Sequence, residues 1–288
     1  MKHLITTACM VFLAAVSCNK NSLTPKTEGP VEVVFSADDS FSAQVTTKTS
    51  AVTSLETSGF YASATKGTSG SETQMWNNAT FTYSSTDQKY KGDKYWPATS
   101  TQMHFYASNQ SLTFAAGGCT ISAANTTDVV CAYVESPTWK QEVTPLTFNH
   151  VFSRIGKCSI SAPAGYTGSG LTVKITPKTS GTYNLRTATW SGVTTATSAT
   201  TLATQFNSNN NVDLYLVPGT YEISATYTLS KGGDGGYSET ISKKASVTLP
   251  AGQISNISAI LPAGNAQEIV FTVTVTAWTT QSLSATFQ

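Results

Sequence analysis

Alternation is the clearest pattern along this chain. Tyr221, Ile223, Ala225, Tyr227 and Leu229 fall on one parity, and Glu222, Ser224, Thr226 and Thr228 on the other. Period two is the mark of a strand with one buried face and one wet face. Lys231-Gly232-Gly233-Asp234-Gly235-Gly236 interrupts the pattern as a loop and Ser242 to Leu249 resumes it, which predicts a hairpin. Leu171, Val173 and Ile175 alternate with Thr172 and Lys174, and Phe271, Val273, Val275 and Ala277 with Thr272, Thr274 and Thr276. Pro163-Ala164-Gly165, Pro218-Gly219, Pro250-Ala251-Gly252 and Pro262-Ala263-Gly264 punctuate these runs. Proline fixes φ and removes a ladder donor, so each marks a turn. No window of helix length carries a 3.6-residue apolar period. In the first half the better strands are Val31 to Phe35, Gly59 to Ala64, Met103 to Ala107 and Val129 to Val134, and Thr65 to Glu72 reads as a loop. Closely spaced short strands of this kind predict an all-β fold of two antiparallel β-sandwich domains. The boundary is placed near Pro145, where a fresh strand begins at Leu146, giving domains 31–145 and 146–288.

The first thirty residues break the pattern. Lys2 and His3 make a short basic start, and Leu4 to Val16 is an apolar run shorter than the ~20 residues that span a bilayer. Ala14-Ala15-Val16-Ser17-Cys18 follows. Small residues before a Cys resemble the lipobox of bacterial lipoproteins, with Ala15 where Leu is more usual. Residues 1–17 are therefore read as a signal peptide, removed before folding. Cys18 is the candidate lipidation site, which predicts an outer-membrane lipoprotein held by its lipid anchor. Residues 18–30 are polar, with Pro25 and Pro30, and read as a tether.

Composition narrows the function classes. Charged residues make up 11% and the formal net charge is +1, so the basic stripe that nucleic-acid binding requires is missing. Thr fills roughly one position in six, which favours extended strands. Beyond Cys9 and Cys18 the chain keeps Cys119, Cys131 and Cys158, an odd number. An exported compartment permits a Cys119–Cys131 disulfide, but buried free thiols are the commoner reading. No Cys/His spacing suits zinc, and no cofactor is expected. His104 and His150 sit in strand-like runs and read as structural histidines. Asp38-Asp39 is the one adjacent carboxylate pair, read as loop or tether rather than as two groups facing each other across a sugar. Gly232 to Gly236 lacks the Lys-Ser/Thr of a phosphate-binding loop and leads into a strand. Trp76, Trp96, Trp139, Trp190 and Trp278 offer aromatic faces that could stack on sugars, although packing in a core is the commoner use.

Five motifs, in order, resemble the fimbrillin or Mfa-like family of Bacteroidetes pilin lipoproteins. They are the lipobox and tether; Val45-Thr46-Thr47-Lys48-Thr49 followed by Gly59-Phe60-Tyr61-Ala62-Ser63-Ala64; Met75-Trp76-Asn77-Asn78 with Tyr95-Trp96-Pro97 and Met103-His104-Phe105-Tyr106-Ala107; Leu146 to Ile155, with Phe148, His150, Phe152 and Arg154; and Val273 to Trp278. The resemblance implies two sandwiches of transthyretin-like build, export as a lipoprotein, and assembly into a cell-surface pilus by strand addition between pilin subunits. It implies that a trypsin-like protease removes the first strand and that the next subunit fills the groove. Main-chain hydrogen bonds and alternate side chains in pockets are the physics of such β-augmentation. The chain has two Arg residues, Arg154 and Arg186, both inside the predicted domains, so Lys48 is the candidate processing site. Leu283 to Phe287 reads either as a last sheet strand or as a donor tail. The expected role is a structural, non-enzymatic pilus subunit that supports adhesion to a host or bacterial surface glycan or protein. A surface glycan-binding lipoprotein of a polysaccharide-uptake system and a secreted hydrolase are the alternatives.

Overall fold

The computed structural model of the chain describes residues 29–38, 52, 54–115, 118–135, 137–232, 237–263 and 267–277. No described residue is helical. In the first half the strands are β1 (Glu32–Asp38), β2 (Phe60–Lys66), β3 (Thr73–Ser84), β4 (Lys89–Tyr95), β5 (Met103–Ser108), β6 (Thr113–Ala115), β7 (Gly118–Ala124), β8 (Val130–Glu135), β9 (Thr144–Thr147) and β10 (Asn149–His150). The second half adds β11 (Ser153–Ser161), β12 (Thr167–Ile175), β13 (Lys178–Asn184), β14 (Thr189–Thr195), β15 (Thr200–Ala203), β16 (Asn209–Leu216), β17 (Gly219–Lys231), β18 (Tyr237–Leu249), β19 (Gln253–Ile260) and β20 (Thr272–Ala277). The predicted hairpin is β17–β18, in register from Gly219↔Leu249 to Lys231↔Tyr237. Tyr221, Ile223, Ala225, Tyr227 and Leu229 are all buried, as their parity requires.

The first half is one sheet in the order β10-β8-β5-β2-β3-β4-β1-β9. It curls over itself: β1 and β5 are four places apart, yet the rings of Phe35 and Phe105 stand 5.2 Å apart. β3 supports the curl by pairing with β2 up to Phe81 and with β4 from Thr82 onward. Phe35, Phe60, Phe81, Tyr90, Trp96, Phe105 and Phe148 fill the space enclosed. The second half is two four-stranded sheets, β16-β11-β19-β20 and β15-β12-β17-β18. Ile155, Ile160 and Ile257 from one meet Val173, Ile175, Ile223 and Leu229 from the other in an aliphatic core. This is a sandwich in the plain sense of two apolar sheet faces closed on each other.

Two features depart from a simple pair of antiparallel sandwiches. Antiparallel pairing dominates as predicted, but β1 runs parallel to β9 and β11 parallel to β19. Parallel neighbours need a long connection, and here each pair joins an early strand of its half to a late one. Hydrogen bonding also runs on past Pro145. β9 and β10 complete the first sheet, and a fourth sheet, β14-β13-β7-β6, takes two strands from each side. A shared core of Tyr106, Ile121, Val129, Phe152, Leu185, Tyr215 and Val217 lies at this junction. β5 therefore buries both faces: Met103, Phe105 and Ala107 face the aromatic core, and Tyr106 faces the shared one.

Candidate functional site

β1 is the element with the most to say about function. It lies between β4 and β9 rather than at an edge. Glu32 pairs with Tyr95, and Val34 and Phe35 with Lys91 and Tyr90, across a bulge after Glu32. Phe35 to Asp38 pair with Thr144 to Thr147 on the other side. The Trp96 N–H donates to Val31 O at 2.9 Å and extends the ladder. Val33 and Phe35 are fully buried, and Val31 and Ala37 pack against the same core. The Phe35 ring touches Phe81 (4.8 Å between centroids), Phe105 (5.2 Å) and Phe60 (6.0 Å). Burying such a side chain contributes about 1.5–3 kcal/mol. Without β1 there would remain a slot two strand spacings wide, about 9–10 Å, with unpaired backbone on both walls and two empty apolar pockets. Only an extended segment with apolar residues at alternate positions could refill it.

The histidines singled out in the sequence are both engaged. His104 is fully buried, with Nδ1 3.0 Å from Tyr133 Oη and Nε2 3.1 Å from Gly67 O. Around it Arg186 donates to Glu72, to the Tyr106 hydroxyl and, at 3.1 Å, to the Tyr133 hydroxyl. Burial alone would raise the Glu72 pKa, but the hydrogen bond from Arg186 and backbone donors hold it below the usual carboxylate value. His150 Nδ1 lies 2.9 Å from Asp128 Oδ1. Arg154 is buried and donates to Asp213 Oδ1 at 2.5 Å. Both arginines are thus inside the fold, tied to carboxylates. Among the described residues no group of three His, Cys, Asp or Glu is placed to hold a metal ion.

Cys119, Cys131 and Cys158 are all buried free thiols, with no bridge between Cys119 and Cys131. The two candidates sit in different layers, Cys119 in the sheet shared by both halves and Cys131 in the first. Trp96 is buried, Trp76 and Trp139 pack against the aromatic core, and Trp190 packs against the shared one. These four indoles thus pack in or against the two cores. Asp38 ends β1. Asp39, Cys18, Lys48, Trp278 and Leu283 to Phe287 lie outside the described residues. The sequence reading missed Glu72 and Asp128; each is a single acidic residue with no local motif to mark it.

A model described as fimbrillin-like matches residues 43–278. The chain belongs to the fimbrillin-like family. Among solved structures, this fimbrillin-like protein is similar to a fimbrial protein from Bacteroides vulgatus, at 15% identity and a TM-score of 0.55, over 77% of this chain and 93% of that one. It is also similar to "a putative cell adhesion protein" from Bacteroides uniformis, at 16% identity and a TM-score of 0.47, over 86% and 98% of the two chains. At such identities the likeness to the first speaks for the fold. No curated protein matches the chain.

Proposed function

We propose that this fimbrillin-like protein is a fimbrial subunit or a fimbria-associated surface lipoprotein, held to the outer membrane through Cys18 and joined to its neighbours by strand exchange. Its work is mechanical, in support of adhesion. The observation that carries this reading is β1, a strand seated between two others, contributing Val33 and Phe35 to the centre of the aromatic core. A subunit that polymerises by strand exchange needs one such replaceable strand, near a chain end and bounded by a site where the chain can be cut.

The sequence supplies such a site. Lys48 is the sole basic residue between Asp38 and Lys66. Lys20 and Lys26 precede β1, so a cut there leaves β1 attached to the subunit. A cut after Lys48 would separate β1 from everything that follows. An Arg-specific protease has little to act on, because Arg154 is held in a buried ion pair and Arg186 in a largely buried one. For a donor, Leu283, Ala285 and Phe287 alternate with Ser284 and Thr286, the same spacing as Val33, Phe35 and Ala37. The deciding experiment is digestion of the purified mature protein with a Lys/Arg-specific protease, followed by mass and gel analysis. A cut after Lys48, beside any in the tether at Lys20 and Lys26, followed by SDS-resistant ladders is expected. A cut without ladders would mark a terminal or accessory subunit, and no cut at Lys48 would remove the processing step from this reading.

A further inference from the structure

Val52 is held by an unusual contact. Val52 belongs to no strand, yet its N–H donates to Asp128 Oδ2 at 2.8 Å, across 76 positions of sequence. The Asp128 side chain is completely buried, and its other oxygen lies 2.9 Å from His150 Nδ1. A carboxylate only accepts, so this ring nitrogen is the donor. The backbone around Asp128 is fixed as well. Asn109 Nδ2 donates to the Asp128 carbonyl at 2.9 Å, and Asn109 Oδ1 accepts the Val130 N–H at 3.0 Å. His150 is itself fixed by its ladder position opposite Val130 in β8. Three residues after Val52, Leu55 is fully buried, and its carbonyl accepts the Gly59 N–H at 2.7 Å just before β2.

Burying a carboxylate is costly unless every oxygen is used, and nothing in the ladder between β8 and β10 requires one there. Its use of Val52 gives the reason. From these contacts we propose that the Asp128–His150 pair is a positioning anchor that sets where the retained part of the subunit begins. Chain before Val52 can be lost with β1, and chain from Val52 onward stays bound to the fold. The inference rests on the reading that the chain is cut between β1 and β2. After a cut at Lys48, only Thr49, Ser50 and Ala51 precede the anchored amide. His150 acts through Asp128, holding the carboxylate aimed at the Val52 amide.

Two measurements test this. In the uncut protein, hydrogen exchange at the Val52 amide should be about tenfold or more faster in Asp128→Ala than in the parent, because a hydrogen bond to a charged acceptor is lost. His150→Gln, which keeps a donor for Asp128, should retain most of the protection. Equal exchange in the parent and Asp128→Ala would overturn the anchor. In the protein cut after Lys48, aminopeptidase trimming followed by mass should halt at or just before Val52 in the parent and run on toward Leu55 in Asp128→Ala. The same end point in both would also overturn it. Should Asp128→Ala fail to fold, Asp128→Leu, close in size and with no acceptor for the Val52 N–H, takes its place in both measurements with the same expected direction. If the parent is not cut at Lys48, the processing reading fails, and the exchange measurement alone decides the anchor.

Discussion

At the residue scale, single atoms decide what is tolerated. Gly59 has φ +66°, and a Cβ there would press on the backbone carbonyl of Phe81 in the neighbouring strand. Gly70 also has positive φ, +87°, but nothing lies within 4 Å of its would-be Cβ. Gly70→Ala should therefore cost about 1 kcal/mol, for the backbone conformation alone, and Gly59→Ala at least about 2–3 kcal/mol, since a strand must also move. Urea titration of the two variants measures the difference; equal losses would mean that the clash is relieved at no cost. The thiols are a second case. Burial pushes the Cys119 thiol up to about 11 and those of Cys131 and Cys158 to about 12. At pH 8 the thiolate fraction at Cys131 is of order one in ten thousand, so an aromatic disulfide reagent should find the native protein almost inert. In denaturant, protein acylated at Cys18 should release three equivalents. One equivalent instead would mean that a disulfide exists after all. Buried free thiols were one reading the sequence offered for the cysteines, but the cost at Gly59 and Gly70 and the size of the thiol shifts were not legible, because close approach and burial are properties of the neighbours.

At the element scale, alternation was legible wherever one face is wet. β12, β17, β18 and β20 stand close to where period two puts them. β3 and β4 were harder to see, since Asn77, Asn78, Lys89, Lys91 and Asp93 dilute the apolar parity. The parallel pairs were illegible, because parallel pairing leaves no local mark in sequence. They expose a correspondence: β1 sits antiparallel to β4 and parallel to β9, and β11 sits antiparallel to β16 and parallel to β19. β11 is held along Arg154 to Ser161 on its parallel side, β1 only along Phe35 to Asp38. The same topological place is thus filled twice, once firmly and once by a short strand near a chain end. Between the halves, the turn from β13 to β14 carries Arg186 onto Glu72, just before β3, and onto Tyr106 and Tyr133 of the first sheet. Because the folded Glu72 pKa is depressed, the stability it lends is full above its ordinary value of 4.5 and lost as pH falls through the lower folded value. Glu72→Gln should lower stability by about 2–3 kcal/mol near neutral pH, less than the 3–5 of a wholly buried broken pair. The gap to the parent should narrow as pH drops below about 4.5. Thermal unfolding at pH 7 and pH 3 measures both; a gap that does not change with pH would mean that the ion pair does not tie the halves.

At the scale of the whole molecule, the fold gives β1 a removable place only if something can replace it. An intact chain holds β1 intramolecularly, at an effective concentration that a free strand in solution cannot match. Cutting after Lys48 ends that advantage, and β1 then competes as an ordinary ligand. A peptide of residues 281–288, with Leu283, Ala285 and Phe287 on one face, should displace the fragment bearing β1 from cut protein and leave uncut protein unchanged. Mass analysis after gel filtration reads the displacement directly. The replaced complex should also melt higher as peptide is added, by an amount equivalent to about 2.7 kcal/mol at a hundredfold excess over its dissociation constant. A peptide with Ser at 283, 285 and 287 should do neither, because it makes the same backbone hydrogen bonds but leaves the pockets of Val33 and Phe35 empty. Displacement by both peptides would mean that backbone pairing alone fills the slot. Displacement by neither would leave β1 as a permanent strand of this sheet, with the molecule joined to its neighbours by another route.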